Sequence, residues 1–133
     1  MPTKRRQKGL SLVEVLVALT IFAFGVLGLL GMHATALATF SDAKYRADAA
    51  LLADSLINQI WIDRINLPAY AYSGGSGGAA VSSWVANGVM AALPAADAVV
   101  AVAGSQVTVT ITWLPPGAAQ PRSHVAVATI QEP

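Results

Sequence analysis

The sequence predicts an α+β fold in which a long amino-terminal helix, membrane-spanning at first and amphipathic further on, packs on a small antiparallel sheet. Three observations predict it. Val15 to Ser41 holds no Asp, Glu, Lys or Arg, enough for the roughly 20 helical residues that cross a hydrocarbon core. Between Asp42 and Leu67, Tyr45, Ala49, Leu52, Ala53, Leu56, Ile57 and Ile60 recur at three- and four-residue spacing, with Asp42, Lys44, Arg46, Asp48, Asp54 and Asp63 on the polar side. Further on, Val107, Val109, Ile111 and Trp113 alternate with Thr108, Thr110 and Thr112, the period of a half-buried strand.

The chain opens with Lys4, Arg5, Arg6 and Lys8, half of its eight basic residues. Positive charge on the cytoplasmic side gives one pass with the carboxyl-terminal part outside. Glu14 is the anomaly, a carboxylate just inside an apolar helix. Such a charge costs about 2.5–3.5 kcal/mol at mid-bilayer and less near the basic tail, so snorkelling to the headgroups is the plain reading. The functional reading gives it a cationic partner on another chain. Cleavage after Gly9 would create such a cation at the amino group of Leu10. Gly25, Gly28 and Gly31 follow at three-residue spacing, suited either to close helix packing or to a softened segment. His33 falls at the outer end of the span and reads as an interfacial residue.

Pro68 is the expected stop for the second half of the helix. A helix running from Leu10 to Leu67 is roughly 85 Å long, far more than a bilayer needs. Ser73 to Gly78, four glycines and two serines, is too Gly-rich to fix a conformation by itself and reads as a linker or a loop ordered by a partner. A phosphate-binding loop is the sharper alternative, and the lack of a following Lys-Ser/Thr and of a leading strand counts against it. Ser82 or Ser83 is placed to cap a short helix through Leu93. Ala98 to Val102, a turn at Ala103-Gly104-Ser105, the Thr-alternating strand and a return strand from His124 to Gln131 complete the sheet. Trp61, Trp84 and Trp113 are expected in the core.

Composition bounds the function. At 133 residues, 55% hydrophobic and 11% charged, the chain has room for one folded unit beyond the helix. Removing the first nine residues leaves four basic against seven acidic residues, a formal charge of −3, so the basic excess belongs to the leader and no direct nucleic-acid contact is expected. Cysteine is absent, so the loop near Pro115 to Pro121 is held by packing or by neighbours. With two His residues and no Cys, no metal or other cofactor is expected, and no Ser, Cys or Lys sits beside a base in a catalytic arrangement. The chain reads as a non-enzyme.

Lys8-Gly9 followed by Leu10-Ser11-Leu12-Val13-Glu14-Val15-Leu16-Val17-Ala18-Leu19 resembles the prepilin leader and helix start of type IV pilins and pseudopilins. The resemblance implies the pilin fold, cleavage after Gly9 by a prepilin peptidase, N-methylation of Leu10 and a subunit contact through Glu14. Leu10 departs from the commoner Phe, and the missing cysteines depart from the disulfide-closed loop of many pilins. Residues 21–32 and the Leu51-Leu52-Ala53-Asp54-Ser55-Leu56 stretch look most like minor pilins of the PilV type, ahead of GspI-type pseudopilins of type II secretion. The implied organisation is a leader at 1–9, a transmembrane and filament-core helix at 10–41, and a periplasmic domain at 42–133. Implied partners are the peptidase, inner-membrane lipid, the major pilin, other minor pilins and a tip adhesin. The competing reading is a secreted binding domain, since Ala34-Thr35-Ala36 and Ala36-Leu37-Ala38 offer small residues at signal-peptidase spacing. Glu14 at the entrance and the length of the uncharged run count against it.

Overall fold

The computed structural model describes residues 10–131. Helix α1 runs from Leu10 to Ile62, and the chain divides between Phe40 and Ser41 into two compact units. In the first unit every side chain described, from Ser11 to Phe40, is exposed. A predominantly apolar, exposed helix satisfies hydroxyls locally. Thr20, Thr35 and Thr39 donate to the carbonyls of Leu16, Gly31 and Thr35 at 2.7, 3.1 and 3.0 Å, the back-bonding that hides a hydroxyl on its own helix.

The second unit is an α+β layer. Sheet order is β2-β1-β3-β4-β5, with β1 at Tyr72–Ser73, β2 at Ser76–Gly77, β3 at Asp97–Ala103, β4 at Gln106–Trp113 and β5 at Arg122–Thr129. Every neighbouring pair is antiparallel. Ala49, Ala53, Leu56 and Ile60 of α1 are fully buried in the core that the sheet shares. Opposite them, Val107, Val109, Ile111 and Trp113 fill the inner face of β4 while its threonines are half-buried on the other. Tyr45, Leu52 and Ile57 pack at the margin of the same core.

Several local expectations are corrected. The helix stops at Ile62, and Pro68 lies within a 3-10 turn over Arg64–Tyr70. Asp63 leaves helical geometry (φ −109°, ψ 38°), and its carboxylate accepts from Asn66 Nδ2 at 2.7 Å and Tyr70 Oη at 3.1 Å. Both bonds are to side chains, so they tie Asp63 to the turn that follows without capping its backbone. The glycine run is ordered as a two-residue hairpin, Ser73 opposite Ser76, because Gly74 and Gly75 supply φ of 52° and 96°, positive at both central positions as a tight hairpin turn requires. The short helix begins at Ala79 behind a left-handed Gly78, without a side-chain cap. Ser82 is inside it and donates to the Ala79 carbonyl at 3.1 Å. This helix, α2 (Ala79–Trp84), continues through a π turn at Val85–Val89 into α3 (Met90–Ala92).

Strand β5 starts at Arg122, two residues before the expected His124, and the β3–β4 turn narrows to Gly104 and Ser105. Of the three tryptophans, Trp113 is core and Trp84 is half-buried with its indole N–H donating to the Leu52 carbonyl at 3.2 Å. Trp61 is 42% exposed, because the helix ends one residue later and nothing covers that face.

Candidate assembly and processing site

The expected cleavage residue Gly9 lies outside the described residues. Leu10 is the first residue of α1. Glu14 follows one turn on, exposed and with no hydrogen bond or ion pair to any described residue of the chain. Its carboxylate is therefore free to meet a group on another molecule. The helix passes unbroken through Gly25, Gly28 and Gly31, and a Cβ built at any of the three meets nothing within 4 Å. At three-residue spacing they lie on adjacent faces of the helix, each with open space around it.

Charges in the second unit are mostly paired on the surface. Asp42 accepts from Arg46 Nε at 3.2 Å and lies 3.6 Å from Arg122 Nε, tying α1 to the start of β5. Lys44 and Asp48 meet at 2.8 Å, and this hydrogen bond, followed by the carboxylate's charge, holds the ammonium above its ordinary pKa of 10.5. Burial, then the bond to Asp63, pushes the Tyr70 phenol above its ordinary 10.0. No group of three or more His, Cys, Asp or Glu suited to hold a metal occurs among the described residues.

Helix α1 is long and apolar enough to cross a membrane, and none of its most apolar stretch is buried in the protein. The family described as the prokaryotic N-terminal methylation motif matches residues 4–30 of the chain. No curated protein and no solved structure matches. The chain thus carries a type IV prepilin-like amino terminus, ahead of an α+β unit with the helix-on-sheet arrangement of a pilin. Glu14, Gly25 and Gly28 fall inside the matched residues. The exposed Trp61 is what sequence reading missed, and its signal was position: it stands beside the buried stripe at the helix's last residues.

Proposed function

We propose that the chain is a non-catalytic minor pilin of the PilV type, a low-abundance subunit of a type IV pilus placed in its shaft or at its tip. The methylation motif over residues 4–30 carries this reading. Residues 1–9 are the leader, 10–41 the membrane and filament-core helix, and 42–133 the periplasmic domain. A prepilin peptidase cuts after Gly9 at the cytoplasmic face and the new amine of Leu10 is methylated, which leaves it a cation. The subunit waits in the inner membrane and then joins the major pilin, other minor pilins and a tip adhesin.

Glu14 is the assembly residue. In lipid an unpaired carboxylate is unfavourable, and leaving the bilayer for a bundle of like helices offers it the Leu10 amine of an adjoining subunit. Catalysis has no part in this. The subunit acts by being placed, its helix supplying the apolar contact and the pair setting the axial register.

The test is paired. Glu14→Val should insert and be cleaved as the wild type is, so mass spectrometry of membrane protein should find a chain beginning at N-methyl-Leu10. Its amount in sheared pili should fall steeply. Normal processing with normal pilus content would defeat the amine–carboxylate role. Recovery of the chain with type II secretion components instead of pilins would move the reading to a GspI-type pseudopilin.

A further inference from the structure

The two edges of the sheet are built differently. At one end β2 is two residues long, Ser76 and Gly77. At the other, β5 runs for eight residues and has β4 as its only neighbour in the sheet among the described residues. It pairs one to one with β4 from Arg122 to Thr129, so no bulge bends it, and it contains neither Pro nor Lys. Shortness, bulges, prolines and lysines are how sheets keep other chains from their edges. The β2 edge is protected by its shortness, and the β5 edge has none of these devices.

The free edge can be read residue by residue. Ile130 N–H donates to the Ser105 carbonyl at 2.7 Å, and the register that sets Gln106 opposite Thr129 sets Ser105 opposite Ile130. Antiparallel partners exchange hydrogen bonds at every second position, so Ala128, Ala126 and His124 turn their backbone groups toward β4. Ser123, Val125, Val127 and Thr129 turn theirs outward. The side chains of these same residues are exposed. Val125 and Val127, 54% and 56% exposed, stand beside Thr110 and Thr108 on the face away from the core, with Val99 and Ala101 one strand further. Donors, acceptors and apolar contact thus lie in a single line.

Such a line is complementary to an extended backbone, which supplies matching donors and acceptors at the same period, while alternate side chains supply the choice of partner. From Ser123 to Thr129 the edge carries no Asp, Glu, Lys or Arg, so a strand uncharged at its centre fits it. We propose that β5 is a strand-addition site. It takes an extended segment of a different polypeptide, antiparallel to itself, with Val or Ile at alternate positions packed on Val125 and Val127. The choice of a different polypeptide over a second copy rests on the low-abundance role proposed above; the free edge itself does not. Glu14 has no part in it.

The probe is a blocked peptide of alternating Val and Thr with a Lys at each end, added to the full-length chain in detergent micelles. Amide exchange at Val125 and Val127 should be fast in the free chain and slow about tenfold or more with peptide, while Ala126 and Ala128 are slow throughout. N-methylating the peptide's Val residues, whose amides face β5 in an antiparallel pair, should weaken binding about tenfold or more. N-methylating its Thr residues should not. Val125→Pro removes an outward N–H and spares the bonds to β4, a setting in which edge strands accept Pro, so it should lose the peptide with sheet content by circular dichroism unchanged. Where that variant fails to fold, the methylated peptides still decide. Glu14→Val should bind the peptide as the wild type does, so failure of pilus entry and failure of this site read separately. No protection at Val125 and Val127, equal loss from both methylated peptides, or no loss from either would overturn the proposal. Protection of those amides without peptide, rising with protein concentration, would assign the edge to a second copy and overturn it too.

Discussion

The two stretches of α1 are the same secondary structure built for different surroundings. Between Ser11 and Phe40 no side chain is buried, and large apolar residues such as Phe22 and Phe24 stand 69% and 70% exposed. Between Ala49 and Ile60 four positions are at 0%, and polar residues return to the opposite face. The first stretch is apolar nearly all round, the pattern of a helix long and apolar enough to cross a membrane. The second carries one apolar stripe because its own sheet covers it. The difference teaches what surroundings each stretch suits: on the proposed function, lipid and other chains before Ser41, and the chain's own sheet after it.

The sharpest way to break that comparison is at the processing site. On the proposed function, Gly9→Val should leave the leader attached, an all-or-none effect read by mass spectrometry as an intact Lys4 to Lys8 segment on the membrane protein. Efficient cleavage before Leu10 in that variant would remove the basis for treating the first stretch as a filament helix. No effect on the fold of the second unit is expected.

Next in size is a pair of aromatic truncations. Trp113 is 1% exposed at the end of β4, so Trp113→Ala should cost about 3–5 kcal/mol and lower the thermal midpoint of the second unit, read by near-ultraviolet circular dichroism in micelles. Phe22→Ala removes a comparable ring from an exposed residue and should move that midpoint by no more than about 0.5 kcal/mol equivalent. Equal losses would mean that the exposed stretch stabilises the folded unit.

Where the sequence was legible, the reason is that one physical constraint dominated. Strict alternation in Val107 to Trp113 leaves only a strand with one buried face, and β4 has it. The alanines and leucines at 49, 53 and 56 mark the covered face of the helix, because small and branched apolar residues at that spacing serve little else. Local backbone decisions were less legible. The helix gives way at Asp63, five residues before Pro68, and nothing in the apolar period announces that. The Gly74-Gly75 pair looked featureless in composition, yet positive φ at two successive positions is what fixes a tight turn. Trp61 was misplaced for the same cause as the helix end. Glu14 was legible as an anomaly, because a lone carboxylate interrupts an apolar run and meets no partner among the described residues.

Glycines extend the comparison at smaller scale. Gly77 has φ of +85°, and a Cβ there would lie 2.9 Å from the Ala71 carbonyl oxygen. Gly77→Ala should therefore destabilise the second unit by about 1–3 kcal/mol. In the first stretch Gly28 is helical with open space around it. Gly28→Ala should stabilise the helix by up to about 1 kcal/mol, slowing amide hydrogen exchange across neighbouring residues in micelles. Opposite signs from the same substitution would locate one glycine in a turn that needs it and the other in a helix that tolerates it.

The smallest effect expected is on alkaline stability. Burial, aided by the bond to Asp63, holds the Tyr70 phenol above its ordinary 10.0, so the folded unit favours the neutral form. A group whose folded pKa is raised contributes stability below its unfolded value and loses it as pH rises through the folded one. The unit should accordingly lose stability from about pH 10 upward. Tyr70→Phe should flatten that slope, because the ring stays buried without a proton to lose. Lys44 is also held above its ordinary value by Asp48, but it stands in solvent and should leave only a shallow residual slope in the variant. Residues 11–40 contain no Tyr or Lys, so helix content in that stretch should stay level across the same pH range. A slope unchanged by Tyr70→Phe, measured from denaturant midpoints at successive pH values, would place the alkaline loss elsewhere than in this buried phenol.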